Sequence, residues 1–412
     1  MYGQGQAKVA ILVVLIIVAG VGGYFAGSSS APPRTVTQTV TQTAGAPGTT
    51  LTVTQTVTRT TVQTVTQTVT TTAAPTQQVI KWRMPTHAPP ADPLTKTAQH
   101  FAELVKNASN GRLVIEVYSS GELFPVGQTL DMVSRGAVEI AVTYIAYWVA
   151  EDPVFALFSS RPGPLSKPDE VVYYFNSVRD ILSKRLETRG VQLIGMLNIN
   201  PPETVMSSKK PLTSLSDFRG FVIRSIGLSG EFYAALGARP MTMPGPELYQ
   251  ALQLGTIDGA EWGGWLDNYF LGLHEVVKYI LEPVAGCSIH ADAHVDGIVI
   301  VNPSAWRSLP EDLRQVVLTS LKGAFADSIM IDYYANMLAK QEFVKRGITI
   351  NPIPREDCAK VKEIGISLIV SQAKKSADAV EYAKRLIKVY NDLGYSDWAS
   401  DLEKALKSGG LI

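Results

Sequence analysis

The chain has 412 residues, and its 37 Lys and Arg balance 37 Asp and Glu, so the formal net charge is zero. This balance gives no reason to expect nucleic acid or another polyanion as a partner. The length allows two or three ordinary domains, and 46% hydrophobic residues are enough for a substantial core. Cys287 and Cys358 are too few for a disulfide framework or a cysteine-rich zinc site, and whether they pair is left open.

Residues 9–27, VAILVVLIIVAGVGGYFAG, carry no charge. At about 1.5 Å per residue, such a run is long enough to cross the hydrocarbon core of a bilayer. We predict a retained transmembrane anchor, with residues 1–8 in the cytoplasm and the bulk of the chain outside it, extracellular or periplasmic. A cleaved signal peptide is the alternative, because the small residues of FAGSSSA follow the run.

Residues 28–78 are rich in Thr, with repeats such as TVTQTVTQT and almost no large apolar side chain. A segment of this composition buries too little surface to fold into a compact domain. We predict a disordered stalk, whose hydroxyl groups suit O-glycosylation. A short β-repeat module is the alternative, because Val and Thr alternate as they do in strands.

Beyond residue 78, helical and strand patterns alternate. LTKTAQHFAELVKNASNGRLVIEVYSS, for example, predicts an amphipathic helix, a turn at Asn110-Gly111 and a strand. From about residue 308 the pattern is mainly helical, apart from GITINPIP. This alternation predicts an α/β body with largely parallel sheets.

Three motifs of this body stand in a recognisable order and spacing. They are PLTSLSDFRGFVIRS at 211–225, MTMPGPELYQALQLGTIDGAEW at 241–262 and VNPSAWRSLPEDLRQVV at 301–317. Together they resemble the signature segments of TRAP-transporter solute-binding proteins of the DctP type. The resemblance covers roughly 79–405 and does not extend to the stalk.

The resemblance implies a two-lobed fold like that of periplasmic binding proteins, with a hinged cleft between the lobes. The solute-binding domain would then occupy 79–409. One lobe would comprise about 79–201 and 290–329, and the other about 202–289 and 330–409. The implied function is that of an extracytoplasmic receptor, not an enzyme, which delivers a small organic acid to the membrane permease of a secondary transporter.

Glu261-Trp262 and the segment YWVAEDPVFALF at 147–158 resemble the subgroup that binds 2-oxo and 2-hydroxy monocarboxylates together with a metal ion. Arg224 lies among apolar residues in FVIRS, where a buried guanidinium is costly unless an anion pairs with it. By resemblance it clamps the substrate carboxylate, and a structural ion pair is the alternative.

Four further residues are candidates for binding the substrate. Tyr147 follows a predicted strand, and its hydroxyl could bond the substrate's carboxylate or keto oxygen; ordinary core packing is the alternative. The other candidates are Trp262, Asn198 and Gln128.

The candidate metal ligands are oxygen donors. The resemblance assigns the carboxylate of Glu261 and the backbone carbonyl of Trp262, and it adds Asp292 and Glu203 from the two segments that cross between lobes. The position of Glu203 normally carries Gln in the subgroup, and the additional negative charge favours calcium over sodium. The scarcity of His and Cys disfavours transition metals.

The stretch CSIHADAHVDG places His290, Asp292 and His294 at alternate positions, on one face if the segment is an extended strand. A catalytic zinc site needs three ligands and a general base, and no H-E-x-x-H motif accompanies these residues. We therefore predict that the two histidines form hydrogen bonds near the cleft or lie on the surface. The alternatives to a receptor are a metal-dependent extracellular hydrolase and a stalked adhesive protein, and the C-terminal helices leave room for a homodimer.

Overall fold

A computed structural model of the protein describes residues 52–58, 64–70 and 79–412, with the exception of residue 160. The chain divides into two compact units, residues 1–76 and residues 77–412. In the first unit, strand β1 (Thr52–Thr58) pairs antiparallel with β2 (Thr64–Thr70). The prediction of a disordered stalk is not confirmed for these two segments, since their alternating Val and Thr favour strands.

The predicted transmembrane segment at 9–27 and the remainder of the stalk lie outside the described residues. Within the described residues, no helix combines the length and the apolar character that a membrane crossing requires.

The second unit contains both helices and strands, in the alternation that the sequence predicts. Its strands are β3 (Ile80–Pro85), β4 (Leu113–Tyr118), β5 (Ile140–Thr143), β6 (Gln192–Asn200), β7 (Val205–Ser207), β8 (Val222–Arg224), β9 (Arg239–Met241), β10 (Gly259–Ala260), β11 (Tyr279–Glu282), β12 (His294–Val301) and β13 (Thr349–Pro352). Its helices are α1 (Pro93–Ala108), α2 (Thr129–Ser134), α3 (Pro153–Phe158), α4 (Pro168–Glu187), α5 (Leu228–Ala235), α6 (Gly245–Leu254), α7 (Trp265–Phe270), α8 (Pro303–Ser308), α9 (Glu311–Lys345), α10 (Cys358–Ala373), α11 (Ala377–Asp392) and α12 (Ser396–Ser408).

The first lobe is built on β5-β12-β6, with the β3-β4 pair attached through a bridge between Thr86 and Val142. Both faces of this sheet are covered. Ile300 of β12 belongs to a core shared with α4, α11 and α12, whereas Val301 belongs to a core shared with α1 and the first half of α9. Because successive side chains of a strand point to opposite faces, the continuous apolar run GIVIV fits a strand buried on both sides.

The second lobe is built on a six-stranded sheet in the order β13-β11-β7-β10-β8-β9. Here too the apolar side chains alternate between two cores. Val205 and Leu281 face one core, and Met206 and Ile280 face the other. Strands β8 and β10 run parallel and place Arg224 opposite Ala260, so Arg224 and Glu261 emerge at the same edge of the sheet.

The prediction of largely parallel sheets is wrong, because the two lobes together contain four parallel and four antiparallel strand pairs. Every antiparallel pair involves β7 or β12. The chain enters the second sheet through β7 and returns to the first through β12. Helical crossovers connect neighbouring strands of one sheet in parallel. A strand that comes directly from the other lobe has no such crossover, and here it runs antiparallel to its neighbours.

The C-terminal helices differ from the predicted division at 330–409. Helices α11 and α12 pack in the same core as α3 and α4, with Tyr382 and Trp398 fully or almost fully buried, so they belong with the first lobe. The apolar faces of α4, α11 and α12 pack in one core, and α1 packs on the opposite face of the sheet. The predicted boundary at 329 falls inside α9, a single helix of 35 residues that packs against both lobes.

A disulfide joins Cys287 to Cys358 and answers the question that the sequence left open. It ties the segment that returns to the first lobe to the start of α10, across 71 residues of sequence. Closing a loop of this size removes chain entropy from the unfolded state, an effect of about 4 kcal/mol in the simplest model.

Candidate functional site

A narrow cleft between the lobes has a cavity volume of only about 20 Å³, room for about one water molecule, and a lining of mainly polar residues. Its wall comes from both sheets and from the two crossing segments. The lining residues are His87, Asp92, Tyr144, Tyr147, Asn200, Glu203, Arg224, Ile226, Glu261, Trp262, Asp267 and Asp296.

Arg224, at the end of β8, is held from three directions and is 2% exposed. Its Nη1 donates to the backbone carbonyl of Glu261 at 2.8 Å and to Oε2 of the same residue at 3.0 Å. Its Nε donates to the carbonyl of Met243 at 3.3 Å, and the guanidinium carbon lies 4.8 Å from the centre of the Trp262 ring. The ring and the carbonyls fix the plane of the guanidinium, a geometry that suits recognition of a carboxylate.

Glu261 and Glu203 are both buried and line the same small space. Glu261 accepts from the backbone N–H of Ile226 at 3.0 Å in addition to Arg224. Glu203 lies between two imidazoles, with His290 Nε2 at 3.0 Å from its Oε2 and His294 Nε2 at 3.4 Å from its Oε1. Burial, and after it the charge of Glu261, raises the pKa of Glu203 well above its ordinary value, while burial lowers the pKa of His290 to about 4.

Three more carboxylates line the cleft. Asp92 caps α1 through the N–H of Leu94 and accepts from Trp262 Nε1 at 3.4 Å. Burial and the neighbouring Asp296 raise the pKa of Asp92 to about 6. Burial opposes ionisation of Asp296 as well, but His87, whose Nε2 is 3.3 Å away, lowers the pKa of this carboxyl below its usual value.

The remaining carboxylate, Asp267, accepts from the backbone N–H of Gly264 at 2.7 Å, and burial raises its pKa well above the ordinary value. The cleft thus has five carboxyl groups and a single guanidinium among its lining residues. An anionic ligand meets net repulsion there unless protons or a metal ion enter with it.

Several predicted site residues meet in this cleft: Arg224, Glu261, Trp262, Glu203 and Tyr147. The carboxylate oxygens of Glu203 and Glu261 and a ring nitrogen of His290 all lie within 4.8 Å of one another, close enough to hold one ion. Burial raises the pKa of Tyr147, so its hydroxyl is a hydrogen-bond donor at neutral pH.

Asp292 does not join this group. It is fully buried elsewhere, 3.8 Å from Nη2 of Arg161, and burial raises its pKa to about 7. The prediction placed it with Glu261 by resemblance, from its distance to the next motif and from its place on a segment that crosses between the lobes. The separate expectation that His290, Asp292 and His294 share one face required an extended strand. The chain instead bends at residues 289, 290 and 293, and β12 begins only at His294. Alternation therefore fails, and the two histidines turn to Glu203 while Asp292 turns away.

Two predicted substrate residues lie outside the cleft lining. Gln128 is exposed in a short turn of 3₁₀ helix, Val126–Gln128, beyond the cleft. Asn198 is buried on β6 behind the wall, where its Nδ2 donates to Asp296 at 3.5 Å. It supports a cleft carboxylate and does not itself face the ligand space.

Sequence reasoning missed His87, Asp92, Asp267 and Asp296. Only Asp92 carried a local signal, since Asp before Pro is a helix N-cap pattern and α1 begins at Pro93. The other three come from separate parts of the chain, and nothing in their local sequence indicates that folding brings them together.

The comparisons with known proteins agree with this architecture. Residues 84–375 match the family model DctP, bacterial extracellular solute-binding protein, family 7. The chain is 27% identical over 346 residues to a monocarboxylate 2-oxoacid-binding periplasmic protein of Nostoc, covering 78% of this chain and 89% of that protein.

Two solved structures show the same two-lobed fold. An extracytoplasmic solute receptor of Bordetella pertussis that binds pyroglutamic acid has a TM-score of 0.67 and 27% identity, covering 76% of this chain and all of the receptor. A TRAP periplasmic solute-binding protein of Colwellia psychrerythraea, solved with calcium and pyruvate, has a TM-score of 0.70 and 23% identity, covering 81% of this chain and all of that protein.

Proposed function

We propose that this chain, which belongs to bacterial extracellular solute-binding protein family 7, the DctP family, captures a 2-oxo or 2-hydroxy monocarboxylate together with a metal ion. As an extracytoplasmic receptor of a TRAP-type transporter, it would deliver this acid to the membrane permease. The observation that carries the proposal is a single buried guanidinium, Arg224, framed by Trp262 and by carboxylates. The ligand of the Nostoc relative supports the same class of substrate.

The ligand's carboxylate has one strong partner in the cleft. Arg224 uses Nη1 in its hydrogen bond to Glu261. Its position over the Trp262 ring fixes the plane of the guanidinium and therefore the directions of its other N–H donors. A metal ion on Glu261 would weaken the pull of that carboxylate on Arg224, so that the guanidinium can bind the acid. Tyr147 lines the same space and can donate its hydroxyl proton to an oxygen of the ligand.

A metal ion fits the donors that the structure brings together. Glu203 and Glu261 would hold it. The carbonyl of Trp262 is our candidate for a third oxygen ligand, whereas Asp292 pairs with Arg161 and takes no part. Calcium takes carboxylate and carbonyl oxygens of this kind. When bound, the ion supplies positive charge that offsets the carboxylates and attracts the paired oxygens of a 2-oxo or 2-hydroxy acid.

Replacing Arg224→Ala should lower the affinity for pyruvate-like acids by about 30-fold or more, because a charge-assisted pair in a buried site is lost. Isothermal calorimetry on the full chain in detergent measures the affinity, and circular dichroism checks that the variant is folded. Arg219→Ala is the matched control, since Arg219 is exposed and should leave the affinity unchanged. Near-normal affinity in Arg224→Ala removes this residue from the site.

Exhaustive chelation should abolish acid binding, and adding back a divalent ion should restore it, because the cleft carboxylates otherwise repel the ligand. The same calorimetric titration, run before chelation, after it and after calcium is returned, checks this expectation. Undiminished affinity in the metal-free protein contradicts the metal-assisted site while leaving the role of Arg224 open to its own test.

The receptor is further proposed to stay attached to the membrane through residues 9–27, whose uncharged length is sufficient to span a bilayer. Intact-mass analysis of the protein purified from membranes should find residues 1–27 still present. A mature N-terminus near residue 28 would instead identify a cleaved signal peptide.

A homodimer is proposed through α9. Its second half exposes an apolar stripe at helical spacing, with exposed fractions from 45% to 76%, formed by Met330, Ile331, Tyr334, Met337 and Leu338. Beside this stripe lies a mostly apolar groove between α1, α7 and α9, to which Phe270 and Ile331 contribute. A ridge next to a groove on one surface allows two copies to interlock about a twofold axis.

Light scattering of the full chain in detergent should give a dimer, and Met337→Lys should shift it to a monomer by placing a charge within the stripe. Leu254→Lys is the control, because Leu254 is 76% exposed at the end of α6, outside the stripe. A monomeric wild-type protein, or a dimer that tolerates Met337→Lys, contradicts this interface.

A further inference from the structure

Two buried histidines stand directly behind the cleft carboxylates, and capture of an organic acid does not by itself account for them. His290 is 0% exposed and His294 is 1% exposed. They contact different oxygens of the same carboxylate, that of Glu203. The sequence disfavours transition metals because histidines are scarce, but folding places two of the five beside the candidate ion site.

The hydrogen bonds of His294 determine which of its nitrogens carries the proton. Its Nδ1 lies 2.8 Å from the backbone carbonyl of Asp292, and since a carbonyl only accepts, Nδ1 is the donor. In the neutral ring Nε2 then has a lone pair, and this lone pair faces a carboxylate oxygen of Glu203. Nε2 has no hydrogen-bond partner among the described residues. Two acceptors in contact repel each other, and either a proton on Glu203 or a cation beside it relieves that repulsion.

His290 is oriented from behind in the manner of a metal ligand. Its Nδ1 lies 2.8 Å from the hydroxyl of Tyr233, a fully buried side chain, and this bond fixes the ring. Nε2 is left facing Glu203 and lies within 4.8 Å of a carboxylate oxygen of Glu261 as well. In protein metal sites the second nitrogen of a histidine ligand is almost always held by such a hydrogen bond.

We propose that Glu203, Glu261 and His290 form a mixed nitrogen–oxygen site that binds a divalent transition-metal ion of the zinc class more tightly than calcium. His290 Nε2 and Glu203 Oε2 are hydrogen-bonded at 3.0 Å, and an ion with bonds of about 2.0–2.1 Å would replace the proton between them. Calcium takes oxygen ligands at about 2.3–2.6 Å, whereas imidazole suits zinc and its neighbours. His294 acts as a positioning residue for Glu203. The inference rests on the proposed metal-assisted function, because both use the same carboxylates.

The test is metal binding without any acid, on the full chain in detergent after chelation. Competitive titrations with zinc and calcium should give at least 100-fold tighter binding of zinc, and the cobalt-substituted protein should absorb in the visible range. His290→Ala should reduce the ratio of zinc affinity to calcium affinity at least tenfold and change the cobalt spectrum. His100→Ala is the control, because His100 is a half-exposed partner of Asp327, and it should leave both unchanged.

X-ray absorption at the zinc edge of the wild-type protein reports an imidazole ligand directly and does not depend on whether His290→Ala folds. An edge spectrum without an imidazole ligand, or an affinity ratio that His290→Ala leaves unchanged, overturns the mixed site. A protein that needs calcium for acid binding and does not bind zinc more tightly contradicts this inference alone. Acid binding that survives removal of every metal ion contradicts the proposed function instead.

Discussion

An excess of buried carboxyl groups over cationic groups governs this cleft. A single guanidinium, that of Arg224, is surrounded by five carboxyl groups, from Asp92, Glu203, Glu261, Asp267 and Asp296. Buried carboxylates repel each other and lose hydration, which is why the pKa values of Asp92, Glu203 and Asp267 are raised. The surrounding fold holds these carboxyl groups in place, and a proton or a cation that binds among them offsets their charge.

One of these carboxylates and its two histidine partners lie where the chain crosses between the lobes. Glu203 follows β6 on the first crossing, and His290 and His294 lie on the returning segment. The two crossings therefore contact each other through a charged group and its partners. The disulfide from Cys287 holds one end of the returning segment against α10, three residues before His290. A change of charge at Glu203 therefore affects the contact between the two segments that connect the lobes.

Helix α9 links the cleft to the outer surface of the protein. On its inner side, Asn336 accepts from the backbone N–H of Leu266 at the start of α7, near Asp267. On its outer side it exposes the apolar stripe that includes Tyr334 and Met337. One helix thus packs against both lobes and carries the exposed apolar stripe on its outer side.

The sequence by itself determined the features that depend on local pattern or on a motif. It predicted the helix–turn–strand around Asn110-Gly111, the two-lobed α/β class, and the meeting of Arg224, Glu261, Trp262, Glu203 and Tyr147 in one cleft. The predictions of fold are confirmed because periodicity and turn residues act over a few positions. The five residues line one cleft, and their roles in binding stay predictions. The packing of α11 and α12 was predicted wrongly, since amphipathic helices do not specify which apolar surface they cover.

Only the tertiary structure decided which polar side chains share the cleft with Arg224. Asp292 and His290 are two residues apart, yet a bend in the chain sends one to Arg161 and the other to Glu203. Asp267 and Asp296 approach the site from different elements, and their local sequence does not indicate it. The physical reason is that a side chain's direction in an irregular segment follows from the packing of distant elements, and the chemistry of a charged site depends on those directions.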